Sequence, residues 1–283
     1  MSIAIEVKNL IKRFGDQTAV NNLNLTIQEG ELFGLLGPNG SGKTTTIRML
    51  TGLLSPTEGS ISVMNNSHSP ESVEYRRQLG VAFTGSLYER LSAKDNLAFF
   101  RSLYTDRDTH DPETVLKMVD LTDTDNKKVK VFSLGMRKRL DLARAIINKP
   151  KYLFLDEPTL GLDPIGARRL RKVVRDIADS GVTVFLTTHY MEEADALCDR
   201  VGFIDQGRLI ALDSPLNLKS HHGQKGWQML LKTNSKPIWK TIDEDDNTSI
   251  INALNDNTLY QLRKGEATLE DVFIRLTGKE LDS

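Results

Sequence analysis

Hydrophobic residues along the chain follow two rhythms. Residues 3–7 and 23–27 alternate apolar with polar, the period of a strand with one buried face, and the turn-forming Arg13-Phe14-Gly15-Asp16 lies between them, so the chain opens on an antiparallel sheet. Residues 32–36, 152–155 and 182–188 are largely continuous apolar runs, which suit strands buried on both faces of a parallel sheet. Shorter strands are expected at 61–63 and 81–83, and a hairpin at 201–212 around Asp205-Gln206-Gly207-Arg208. Helical spacing appears at 45–50, stopped by Gly52, and at 73–79, stopped by Gly80. Further helices are expected from the Ser92 to Asp95 capping box through 104, from Asp111-Pro112-Glu113, from Ser133 to 147, and over 166–179 up to Gly181. A helical stretch, about 85–148, is thus inserted into an α/β pattern.

The character changes after 213. Ser214-Pro215 starts a short helix, His221-His222 reads as linker, residues 227–231 alternate, and the acidic run 243–246 reads as a solvated loop. Thr268 to Asp271 caps a last helix with Leu269, Val272, Phe273 and Leu276 on one face. The expected organisation is a large domain, 1–213, and a small α+β unit, 214–283, with no internal repeat.

One loop carries the densest chemistry. Gly37-Pro38-Asn39-Gly40-Ser41-Gly42-Lys43-Thr44, followed by Thr45, fits G-x-x-x-x-G-K-[ST] between a buried strand and a helix. Its glycines let bare N–H groups converge on an anion at the positive end of the following helix dipole. Lys43 is then placed for β/γ phosphates and the Thr44 hydroxyl for Mg²⁺. The run 152–155 ends in Asp156-Glu157, and the run 182–188 ends in His189. In an open α/β sheet ligands bind at those C-terminal strand ends. Asp156 suits a Mg²⁺ role, usually through water, Glu157 suits polarising an attacking water, and His189 suits a bond to the γ-phosphate. Phe14 has two readings, a ring stacked on a nucleotide base or a strand-end packing residue.

Composition narrows the setting. The chain has 283 residues, 39% hydrophobic and 27% charged, enough for a stable core. Its net charge of −1 gives no global electrostatic case for nucleic acid. A single cysteine, Cys198, excludes an intrachain disulfide, and no secretory pattern or apolar run of membrane-spanning length is seen, so a cytoplasmic setting is expected. Arg168, Arg169, Arg171, Lys172 and Arg175 read as a solvated helix face.

With these residues placed, the chain resembles the ATP-binding subunit of bacterial ABC transporters from residue 3 to about 212, and the remainder resembles the C-terminal extension of the drug, lipid or ion exporter branch. The resemblance implies a P-loop NTPase fold with a RecA-like core, an antiparallel β subdomain and an inserted helical subdomain. In its terms Phe14 is the base-stacking aromatic, 37–45 the Walker A loop, 153–156 with Glu157 the Walker B strand and catalytic glutamate, Gly161-Leu162-Asp163 the D-loop and His189 the switch histidine. Phe132-Ser133-Leu134-Gly135-Met136 takes the place of the signature LSGGQ, keeping the serine and second glycine but not the first glycine or the glutamine. Ser133 and Gly135 would meet ATP held by a second subunit in a head-to-tail dimer. Thr84 stands where the family usually has a Mg²⁺-sensing glutamine, which leaves a nucleotide-dependent regulatory subunit with little hydrolysis as the alternative. The implied cofactors are ATP and Mg²⁺. The implied partners are a second such subunit and an integral membrane permease on the inner face of the cell membrane. Leu87, Tyr88 and Leu91 are either its docking residues or ordinary core.

Overall fold

The computed structural model describes residues 2–63, 69–83, 85, 87–104, 108–124, 127–223, 226–233, 236–265 and 267–279. The chain divides into two compact units, one through Leu212 and one from Asp213. The first begins with β1 (Ile3–Phe14) and β2 (Gln17–Gln28), an antiparallel pair closed by Gly15 at φ 56°. Next come β3 (Leu32–Leu36), α1 (Lys43–Leu50), β4 (Glu58–Val63), α2 (Val73–Arg77) and β5 (Leu79–Ala82). Helices α3 (Ala93–Ser102), α4 (Pro112–Met118) and α5 (Leu134–Ile146) follow before the chain returns to β6 (Tyr152–Asp156). It ends with α6 (Pro164–Asp179), β7 (Thr183–Thr188), α7 (Met191–Leu197), β8 (Arg200–Asp205) and β9 (Arg208–Asp213).

Two sheets result, β2-β1-β4 and the six-stranded β5-β6-β7-β3-β8-β9. The pairs β5/β6, β6/β7, β7/β3 and β3/β8 are parallel. Every residue of β3 and β7 is buried, which is why both read as largely continuous apolar runs rather than alternations. The ends of β3, β6 and β7 therefore lie side by side, and whatever follows them in sequence meets at one edge.

Several expectations from the sequence need correcting. Helix α2 stops at Arg77, and Gly80 is not its cap but a residue of β5, paired with Leu153. A Cβ on Gly80 would stand 2.1 Å from the Ala145 carbonyl oxygen, so this glycine lets α5 press onto the sheet. The first two strands run 12 residues each because bulges slip the alternation beyond the segments that look regular. Ser92 accepts from the Asp95 N–H at 3.0 Å, but the Asp95 carboxylate takes the Ser92 hydroxyl instead of closing the box, and α3 ends at Ser102. Arg171 and Arg175 do not belong to a free solvated face. The first pairs with Glu193 at 3.0 Å, and the second pairs with Asp179 and Asp199.

The second unit holds α8 (Pro215–His222), β10 (Gly226–Leu231), β11 (Ile238–Asp243), α9 (Asn247–Asn255), β12 (Leu259–Gly265) and α10 (Leu269–Thr277). Its antiparallel sheet has the order β11-β10-β12 and buries Met229 and Ile242 against Ala253. His221 and His222 are the last turn of α8, not linker, and basic groups there suit the negative end of the helix dipole. The capping box at Thr268 and Asp271 is complete, and Leu269, Val272 and Phe273 are buried. Asp246 caps α9 through the Ser249 N–H at 3.0 Å.

Candidate functional site

The loop after β3 is shaped by its glycines. Gly40 and Gly42 take φ 78° and 110°, which turns successive N–H groups inward. A Cβ on Gly37 would lie 2.1 Å from the Ile204 carbonyl, and one on Gly42 2.5 Å from that of Ala19, so β8 and β2 wall the loop on both sides. The Ser41 hydroxyl is buried there without a hydrogen-bond partner, an unspent donor inside the cradle. Pro38 is half-buried, Asn39 and Gly40 are exposed, and Thr45 is half-buried on the first turn of α1.

Charged groups from three strand ends converge on this loop. Lys43 is 5% exposed, and its Nζ donates to the carbonyls of Gly37 (2.7 Å) and Pro38 (3.1 Å) and lies 3.2 Å from Glu157 Oε1. The Thr44 hydroxyl donates to Asp156, 3.1 and 3.2 Å from its two oxygens. Glu157 Oε2 lies 2.9 Å from His189 Nδ1. Asp156 and Glu157 leave β6, His189 leaves β7, and the loop leaves β3, as the sheet order requires.

Two participants escaped sequence reading. Thr187, fully buried in β7, donates its hydroxyl to Asp156 Oδ1 at 2.6 Å, and both its carbonyl and its Oγ1 accept the Glu157 N–H at 3.1 Å. Lys138 on α5 donates to the Glu157 carbonyl at 3.1 Å. Burial pushes the Lys138 ammonium below the usual lysine range, against the opposing pull of Asp141, Asp156 and Glu157. The only sequence signal for Thr187 was a polar pair, Thr187-Thr188, ending an otherwise apolar strand.

The remaining residues singled out in the sequence stand elsewhere. Ser133 caps α5 through the Met136 N–H at 3.3 Å and shares a cleft with Gly135, Gly161, Asp163 and Arg169. Phe14 is 50% exposed at the end of β1, with Lys12 Nζ 5.2 Å above its ring. Tyr88 packs edge-on against Phe99 at 5.0 Å yet is 49% exposed, and Leu91 is 36% exposed. Thr84 lies outside the described residues. Among the described residues no group of three His, Cys, Asp or Glu is arranged to hold a metal unaided. The oxygens of Asp156 and Thr44 suit a hard divalent ion whose other ligands come from phosphate and water.

A glycine cradle at a helix N-terminus, a buried lysine and two carboxylates at the C-terminal edge of a parallel sheet define a phosphate-loop nucleoside triphosphatase. Comparison with known proteins narrows the class. Residues 20–160 match the ABC transporter family. The chain is 38% identical to a fluoroquinolones export ATP-binding protein of Mycobacterium tuberculosis (strain ATCC 25618 / H37Rv), over 98% of this chain and 94% of the relative. It is 31% identical to the bacitracin transport ATP-binding protein of Bacillus licheniformis, over 98% of each. A dimeric ATP-binding cassette in a post-hydrolysis state, bound to ADP and Pi, superposes with a TM-score of 0.66 at 26% identity, covering 74% of this chain and 98% of that one. The chain belongs to the ABC transporter family, as one of its ATP-binding, ATP-hydrolysing subunits. No helix among the described residues is long and apolar enough to cross a membrane.

Proposed function

We propose that this subunit powers export through a separate integral membrane permease, working on the inner face of the cell membrane as a head-to-tail homodimer that closes over two ATP molecules. The observation that carries the reading is the Glu157 carboxylate, fixed between Lys43 and His189 at the C-terminal edge of the sheet. That carboxylate is placed to orient a water for in-line attack on the γ-phosphorus and to accept its proton as ADP departs. The loop amides from Gly37 to Thr45 and the Lys43 ammonium hold the β and γ phosphates, and Phe14 stacks on the base. His189, whose Nδ1 lies 2.9 Å from Glu157 Oε2, would bond the γ-phosphate through a ring N–H. Asp156, usually through water, and the Thr44 hydroxyl would hold Mg²⁺, which would supply positive charge against the phosphates. Little covalent chemistry is asked of the protein, and the rate comes from positioning and fixed charge.

Ser133 and Gly135 would complete the site of the other copy, at the N-terminus of α5, where two N–H groups and the helix dipole favour the far side of a γ-phosphate. The half-exposed Tyr88 and Leu91 are the docking residues for a permease helix. Relatives named for fluoroquinolones and bacitracin support an organic, antibiotic-like cargo. The test is affinity purification from detergent-solubilised membranes. A multi-spanning protein should come along and raise ATP turnover, and Glu157→Gln with ATP and Mg²⁺ should run as a dimer. A chain that stays monomeric with ATP and brings no membrane protein would count against the reading.

A further inference from the structure

Glu157 leaves β6 with φ 47°, a left-handed conformation that a residue with a Cβ rarely holds without support. Its backbone is pinned from two sides. The N–H is taken by Thr187 of β7, and the carbonyl accepts from Lys138 Nζ at 3.1 Å and from the Leu160 N–H at 3.3 Å. Pro158 follows, so this peptide has no N–H and the carbonyl is its only hydrogen-bonding group. Lys138 reaches it from α5, beside a cavity walled by Phe83, Leu142, Leu155 and Leu170, where a charged hydrogen bond is screened little by water. Asp141, Asp156 and Glu157 attract the ammonium and offset part of the effect of its burial.

The same helix carries Ser133 and Gly135 at its N-terminus, less than two turns before Lys138. We infer that Lys138 is a positioning residue for hydrolysis, a strut through which α5 sets the left-handed backbone, and hence the carboxylate, of Glu157. The inference rests on the reading of Glu157 as the group that orients water. It makes the helix that meets the second subunit's nucleotide the same helix that aims the glutamate of its own site. Arrival of the partner is thereby felt at Glu157 through one side chain.

The experiment compares Lys138→Met, which keeps length and loses the donor, with Lys138→Arg, which keeps a donor, each in the full chain beside Glu157→Gln. Loss of a charged hydrogen bond that acts on positioning lowers kcat roughly ten- to a hundredfold in K138M, with the KM for ATP and ATP binding within about twofold of the parent. K138R should recover most of that rate, and thermal unfolding of both should match the parent. Turnover of K138M equal to the parent, with E157Q inactive, overturns the strut alone. Equal losses in K138M and K138R, accompanied by lower unfolding temperatures, reduce Lys138 to a packing residue. Normal turnover in E157Q removes Glu157 from its role, and the strut falls with it.

Discussion

Replacing Thr187 by valine tests how Asp156 is aimed. Valine matches threonine in volume, and the site is fully buried, so the change removes the hydroxyl with its bond to Asp156 and its share of the Glu157 N–H, which the Thr187 carbonyl still accepts. Asp156 Oδ1 receives that hydroxyl at 2.6 Å, shorter than its 3.1 and 3.2 Å contacts with Thr44. A Thr44 oxygen that held a metal ion through a lone pair would keep its O–H for Asp156, so Thr187 acts beside Thr44 as the second side-chain tether of the carboxylate. A hydrogen bond to a charged group contributes about 1.5–3 kcal/mol, which converts to roughly 10- to 150-fold in an equilibrium constant. Loss of an outer partner of a metal-ligating carboxylate costs about 10- to 100-fold in metal affinity, the same range. The assay is ATP turnover titrated with Mg²⁺ at fixed ATP, with nucleotide binding measured separately in EDTA. In T187V the Mg²⁺ midpoint should rise by about that factor, with rate recovered at high Mg²⁺ and metal-free ATP binding unchanged. Thr187→Ser, which keeps the hydroxyl, should restore most of the midpoint. A T187V midpoint within about twofold of the parent, in a folded protein, would refute the tether.

Other expectations follow from the loop and the core. Gly42→Ala should abolish ATP binding and lower unfolding stability, because it meets both φ 110° and a backbone oxygen 2.5 Å from the new Cβ. Gly40→Ala, at φ 78° with nothing within 4 Å, should incur only the backbone term of about 1–3 kcal/mol, so equal behaviour of the two in binding and denaturant titrations would contradict the packing account. Burial, aided by the neighbouring Asp199, pushes the Cys198 thiol far above its ordinary range, which removes thiolate at neutral pH. Alkylating reagents should therefore label Cys198 only on unfolding, and rapid stoichiometric labelling of the native chain would show that the thiol is accessible.

How much of this was legible in the sequence depended on distance along the chain. The loop at 37–45 is contiguous, and its neighbours are strands buried on both faces, so apolar runs located the cradle, Asp156-Glu157 and His189 from local pattern alone. Thr187 and Lys138 act on residues remote in sequence, and neither differs locally from an ordinary strand threonine or a helix-surface lysine. Gly80 misled for a related reason. A glycine after a charged helix looks like a cap, while its purpose, the approach of the Ala145 carbonyl, comes from an element more than sixty residues away. The length of β1 and β2 was hidden by bulges, which break the two-residue alternation that marks a strand. Paired arginines on α6 read as solvated because their acidic partners, Glu193 and Asp199, are contributed by later segments.

The most direct test of the central claim is Mg²⁺-dependent ATP turnover of the full chain beside Glu157→Gln, with ATP binding measured on both. The account predicts that the parent turns over, that E157Q binds ATP as the parent does, and that its turnover falls by about two orders of magnitude or more, in keeping with loss of a group that acts on the attacking water. E157Q turning over at the parent's rate would contradict it, because the carboxylate held between Lys43 and His189 would then do no work in hydrolysis.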